Sequence, residues 1–176
     1  MNERTKTSIN QIVHGVASRQ AFTGTQSIGD DVNLNQVFQS VMRKHVSEEK
    51  RTLSIVRSDQ LPFVCGNEQQ LMRVFDALVL MIISHPPPNS KLFLYIGCEA
   101  EKKDPDVIDL RLPKEYQMYD LRFHTNITTN EQWQLIHQDK LSECAVLAEQ
   151  NKGRFSFHSI ANTGCIFSLS LPGKIN

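Results

Sequence analysis

The chain has little that would commit it to chemistry. No apolar run approaches the roughly 20 residues needed to cross a bilayer. The longest, Ala77-Leu78-Val79-Leu80-Met81-Ile82-Ile83, reads as a buried helix instead. Charge of one sign is also missing: 19 basic residues balance 19 acidic ones, so nothing global steers the chain to nucleic acid or to an acidic membrane. Four cysteines, Cys65, Cys98, Cys144 and Cys165, form no CxxC pair, which excludes the usual zinc and disulfide frameworks and leaves reduced, buried thiols. Six histidines make no metalloprotease or zinc spacing. No Gly-x-Ser-x-Gly elbow is present, and Cys65, Cys98 and Cys165 lie in apolar strands where thiols are inert. Met1 to Asn10 is polar and mixed in charge, without the apolar stretch of a secretory signal. A cytoplasmic setting is expected, whether for the whole protein or for the soluble piece of a longer membrane-anchored receptor.

What is present is an ordinary globular composition, 40% apolar and 22% charged over 176 residues, enough for one domain with a real core. Ile9, Ile12, Val13 and Val16 fall at helical spacing and predict a short helix over 7–20. Thr23 to Asp31 reads as a linker with a boundary near residue 28. The expected division is therefore 1–28, an N-terminal helix and linker, and 29–176, a single domain.

Within that domain, Val32-Asn33-Leu34 predicts a short strand, and Asn35 is expected to cap a helix carrying Val37, Phe38, Val41, Met42 and Val46. Leu53 to Val56 and Phe63 to Cys65 predict strands flanking the Leu61-Pro62 turn. Asn67 opens a long helix over 68–84, stopped by Pro86-Pro87-Pro88. Lys91 to Cys98, Val107 to Leu112 and Tyr119 to His124 predict three strands, with a turn at Glu101 to Pro105 between the first two. A helix over Glu131 to His137, a second over Lys140 to Asn151 and two final strands complete the expected order. Strands and helices that do not alternate strictly imply an α+β fold, a two-layer sandwich of a mixed β-sheet with helices on one face.

This order, from about residue 30 to 172, resembles the ATP-binding catalytic domain of sensor histidine kinases. The resemblance is carried by Val32-Asn33-Leu34, by Leu61-Pro62, and by Gly66-Asn67-Glu68-Gln69-Gln70-Leu71, similar to the Gly-Asp-x-x-x-Leu that opens the family's long helix. It is also carried by the closing run: Leu141 to Asn151, Lys152-Gly153-Arg154-Phe155, Thr163-Gly164 and Ser168-Leu169-Ser170-Leu171-Pro172. The stretch Ile9 to Arg19 resembles the end of the dimerisation and phosphoacceptor hairpin that precedes such domains.

The resemblance implies a GHKL-type ATPase fold, and it also locates what is missing. The Asn that would hold magnesium on the long helix falls on Met81, and the preceding Asn on Ala77, neither a hard oxygen ligand. The adenine-reading Asp of the Asp-x-Gly box falls on Thr125 in one register and on Lys114 in another. The glycines whose backbone amides would face phosphate fall on Ile136, Gln138 and Lys140, all bulky. A degenerate, pseudokinase-like domain of two-component signalling is expected, without ATP or magnesium, acting by protein contacts. Its implied partners are a response-regulator receiver domain, a true histidine kinase, or a second copy docked through residues 8–20.

Two alternatives stay open at this point. One is a divergent active histidine kinase domain that binds Mg-ATP, using Asp109, Glu115 or Asp120 as the missing carboxylate. The other is a histidine phosphotransfer protein with a vestigial kinase-like domain, with His14 as phosphoacceptor. His14 is followed by Gly15 and Val16 where the family's phosphoacceptor is followed by an acidic residue.

Overall fold

The computed structural model describes residues 29–46, 53–57, 60–85, 91–101, 112, 115–160 and 163–175. The expected helix over 7–20, the phosphoacceptor candidate His14, Lys114, and most of the strand expected at Val107 to Leu112 lie outside the described residues. So does Asp109.

A short strand β1 (Asp30–Asn33) leads straight into helix α1 (Leu34–Val46), followed by β2 (Leu53–Arg57) and β3 (Phe63–Gly66). Helix α2 (Glu68–Ile83) comes next, then the long strands β4 (Leu92–Ala100) and β5 (Tyr116–Thr125), helix α3 (Glu131–Gln150), and the hairpin of β6 (Arg154–Ile160) and β7 (Gly164–Lys174). β1 and β3 form an antiparallel pair. The other five strands make one sheet in the order β2-β4-β5-β7-β6. Its β2–β4 pair is parallel and the rest antiparallel, so the sheet is mixed as expected.

The helices cover one face of that sheet. Alternation along the strands decides which: Leu92, Leu94 and Ile96 of β4, Leu121, Phe123 and Thr125 of β5, and Phe167, Leu169 and Leu171 of β7 are all buried beneath the helical layer. Tyr95, Arg122, His124 and Ser168 point to the open face. α2 lies between α1 and α3, which is why apolar residues run almost all round it and not along a single stripe. Phe75 on α2 ties the layers together, edge-on to Phe123 of the sheet at 5.6 Å and to Phe38 of α1 at 6.3 Å. Among the described residues no helix is long and apolar enough to cross a membrane.

Local signals explain most of the element ends. Asn67 caps α2, its side chain accepting the Gln70 amide at 3.0 Å. α1 is capped two residues earlier than expected: Asn33 Oδ1, not Asn35, accepts the amides of Asn35 and Gln36 at 3.0 and 3.3 Å. The Asn35 amide group is committed elsewhere. It donates to Leu61 O at 2.7 Å and accepts from Leu61 N at 3.0 Å, pinning the turn before β3.

A second correction concerns α3. The two helices expected at Glu131 to His137 and Lys140 to Asn151 are one continuous helix of 20 residues. Gln138, Asp139 and Lys140 contain no breaker and lie on its exposed or half-exposed side, where polar residues do not interrupt the backbone ladder. The helix ends in a left-handed residue, Lys152 with φ of 59°, and the Gly153 amide returns to Ala148 O at 2.8 Å. Gly164 opens β7 at φ of 136°, where a Cβ would stand 1.9 Å from the Thr125 carbonyl oxygen. Only glycine fits that approach.

Candidate functional site

The cleft to be tested lies between α2, α3 and the end of β5, where the resemblance would set a nucleotide. α2 brings Ala77 and Met81 to it, both buried; Met81 is 0% exposed and belongs to the core cluster with Phe75, Leu78 and Ile82. β5 brings Thr125, also buried, whose Oγ1 finds no hydrogen-bond partner among the described residues. Five residues, 126–130, then connect β5 to α3. That connection is tied down along its length. Asn126 accepts from the Phe93 amide at 2.8 Å and donates to Lys91 O at 2.9 Å. Ile127 is fully buried, Thr129 hydrogen-bonds Ser159, and Asn130 caps α3 through the Trp133 amide at 2.8 Å.

α3 fills the opposite wall with aromatic rings. Trp133, 3% exposed, stacks on Phe157 with centroids 5.4 Å apart and lies 4.5 Å from the ring of His137. Phe157 in turn meets Phe167 at 5.1 Å. His137 Nε2 faces Nδ1 of His85, at the end of α2, at 3.2 Å. Burial pushes the His137 imidazole below its ordinary pKa, and the charges of His85 and Lys140 push the same way. Its Nδ1 is buried with no hydrogen-bond partner among the described residues, so the cationic form would strand a donor there. One N–H···N bond thus joins His137 of α3 to His85, just past the end of α2.

Further along, the same two helices are joined by polar links. Arg73 pairs with Glu143, Cys144 sets its thiol against Val74 O, and Gln70 donates to Gln150 at 2.9 Å. Asn151 closes the far end: its Oδ1 accepts the Asn67 amide at 2.7 Å, and its Nδ2 reaches Gln70 Oε1 at 2.9 Å and Leu147 O at 2.7 Å. Burial pushes the Cys144 thiol up to about 12, which makes it a packing group and not a nucleophile.

The sequence-predicted positions separate in space. Ala77, Met81 and Thr125 share the buried interior. Ile136 and Gln138 are exposed and Lys140 half-exposed, all three within the continuous α3 and not in a loop before a helix N-terminus. Helical backbone at those positions has its amides committed to the preceding turn. Of the carboxylates considered as replacements, Asp120 bonds the Ser170 hydroxyl and sits next to the core residue Leu121, on the opposite face of the sheet from α2 and α3. Glu115 is exposed before β5 begins. Among the described residues no group of three or more His, Cys, Asp or Glu could hold a metal. A thioether, a methyl and one hydroxyl do not fit a magnesium nucleotide, which needs hard oxygen ligands and free backbone amides.

One depression lies away from this cleft and another shares Thr125 with it. One, about 580 Å³, runs between α1 and β2; the other, about 260 Å³, sits at the end of the sheet beside Phe93, Asn126, Ile160 and Gly164. No residue of α2 or α3 lines either.

Comparison with known proteins gives the fold a family likeness. No family model matches the chain, and no curated protein matches it in sequence. Solved structures do. A mycobacterial sensor histidine kinase, MprB, superposes with a TM-score of 0.58 at 12% identity, over 84% of this chain and 99% of that one. The histidine kinase AdeS of Acinetobacter baumannii superposes at 0.56 and 12% identity, over 84% and 68%. The ATP-binding domain of PrrB from Mycobacterium tuberculosis gives 0.55 and 13%, over 82% and 97%. The α+β sandwich described above is thus the fold of histidine kinase catalytic domains.

Proposed function

We propose that the chain is a two-component signalling domain that keeps the histidine kinase catalytic fold, does not bind Mg-ATP, and acts through contacts with other proteins. The observation that carries this reading is the closed α2–α3 cleft. Met81 is sunk in the core where a magnesium ligand would be required, and Trp133 and His137 occupy the wall opposite. Loss of the metal ligand, of the adenine-reading carboxylate and of the phosphate-facing amides together removes most of what would hold a nucleotide. Residues 29–176 form the signalling domain in this reading, and 1–28 an N-terminal helix and linker. Its partner is a receiver domain of a response regulator or a histidine kinase, in a cytoplasmic setting, with self-association through residues 8–20 as a further contact.

The test is calorimetric titration of the full chain with Mg-ATP, ADP and a non-hydrolysable analogue, with thermal melts in parallel. No heat and no shift in Tm up to millimolar nucleotide is expected. Saturable binding in the micromolar to sub-millimolar range would overturn the reading and restore the active-kinase alternative.

A further inference from the structure

In the groove between α1 and β2 the helical layer continues past an edge of the sheet. β2 pairs with β4 on one side only; among the described residues no strand pairs with its other edge. Such an edge presents a row of N–H and C=O groups to any extended chain. Leu53, Ile55 and Arg57 face the helices, since their partners Leu92, Leu94 and Ile96 are buried beneath them. Beyond Ile55 the side chains of Phe38 and Met42 on α1 form an apolar floor, and Gln39, Arg43 and Arg57 stand around it. Arg57 lays its guanidinium 5.9 Å from the centre of the Phe38 ring while Nη1 donates to Asn35 Oδ1 at 3.3 Å. Ile55 and Val56 are 37% and 43% exposed.

We infer that this groove is a docking site for an extended, acidic segment of a partner protein, which adds a strand beside β2. Strand geometry sets the side-chain pattern: residues two apart on the added strand point under α1 together. One of them is apolar and rests on Phe38, Met42 and Ile55. The other is a carboxylate and meets Arg57. None of the six lining side chains is acidic, so complementarity selects the sign. A second copy pairing edge to edge through the five-stranded sheet would not supply the carboxylate. The other edge strand of the sheet, β6, reads Arg-Phe-Ser-Phe-His-Ser-Ile, and β2 itself Leu-Ser-Ile-Val-Arg; neither carries a carboxylate. The inference is independent of the nucleotide question, because no residue of the α2–α3 cleft contributes to the groove.

The experiment is fluorescence anisotropy of the full chain with two labelled, end-blocked heptapeptides of alternating threonine and valine. Each carries leucine at position three and, at position five, aspartate in one and lysine in the other. Ile55→Lys, an exposed change, and Arg57→Glu are the variants, with circular dichroism confirming that both fold. The aspartate peptide should saturate the parent and bind at least tenfold more tightly than the lysine peptide. Ile55→Lys should lose that binding, and Arg57→Glu should reverse the preference. Equal binding of the two peptides, binding unchanged in Ile55→Lys, or no binding up to millimolar concentration overturns the inference. A concentration-dependent dimer in sedimentation, abolished by Arg57→Glu, also overturns it and makes a second copy the occupant. Nucleotide binding in the calorimetric titration would defeat the proposed function and leave this result standing.

Discussion

Replacing Met81 by asparagine restores the residue type that the kinase resemblance would ask for, and the structure predicts damage in place of gain. The Met81 side chain is fully buried among Phe75, Leu78 and Ile82. Losing a buried methionine forfeits about 1.5–3 kcal/mol of transfer free energy. An amide placed there without partners adds a penalty of about 1–3 kcal/mol. The sum, about 2.5–6 kcal/mol, is a large fraction of the ~5–15 kcal/mol that holds a domain together. With a urea m-value near 2 kcal/mol/M, the unfolding midpoint should fall by about 2 M. Circular dichroism in urea at pH 7 reads that shift, and Met81→Leu serves as the control, expected to cost less than about 1.5 kcal/mol. Titration of Met81→Asn with Mg-ATP should give no heat. A Met81→Asn midpoint within about 0.3 M of the parent's, a small part of the shift expected from the m-value above, together with saturable nucleotide binding, would refute the argument: position 81 would then face a solvated pocket.

Three other outcomes rest on single residues. Burial alone would raise the Asp76 carboxyl, but hydrogen bonds from His45 and Lys44 outweigh it and hold the pKa below the ordinary value. A depressed carboxylate contributes stability above its unfolded pKa and loses it as pH falls through the folded one. The advantage of the parent over Asp76→Asn, measured by urea unfolding, should therefore be present at pH 7 and shrink below about pH 4. His137 is depressed as well, so the unfolded chain binds its proton first, and parent stability should decline as pH drops below about 6.5. His137→Phe should flatten that part of the profile, and an unchanged slope would remove His137 from the account. Gly164→Ala forces a Cβ onto the Thr125 carbonyl at a left-handed φ; a loss of more than about 2 kcal/mol in thermal unfolding is expected, since strained backbone alone costs about 1–3 kcal/mol. A neutral Gly164→Ala would mean that the β6–β7 turn relaxes freely.

How much of this was legible beforehand depended on the range of the interactions. α2 could be read because its signals are local: the cap at Asn67, a continuous apolar run, and prolines after it. The apolar run of Ala77 to Ile83 marked it as a buried helix. The reading of Asn35 as the cap of α1 fails because either asparagine offers the right oxygen, and Asn33 takes the role. What decides is that Asn35 is taken by Leu61, 26 residues away. α3 was divided in the sequence because its apolar spacing loses phase around Gln138, whereas a helix backbone needs no apolar residue there. The interior identity of Met81 and Ala77 followed from the pattern alone. The His85–His137 contact and the Asn151 clamp did not, since they join residues 52 and 81 to 84 positions apart and leave no periodic trace. Strand order was likewise hidden, apart from the general expectation of a mixed sheet.

The five-residue connection between β5 and α3 has a consequence for motion. Extended fully, five residues reach no more than about 18 Å, and here Asn126, Ile127, Thr129 and Asn130 are each anchored. Such a leash stores almost no slack. α3 therefore has no open position short of breaking its aromatic contacts, its links to α2 and its own cap together, so the two helices behave as one exchange unit. Backbone amides in the middle of α2 and α3 should trade hydrogen for deuterium at a common rate, set by unfolding of the whole domain and not by any local breathing of a lid.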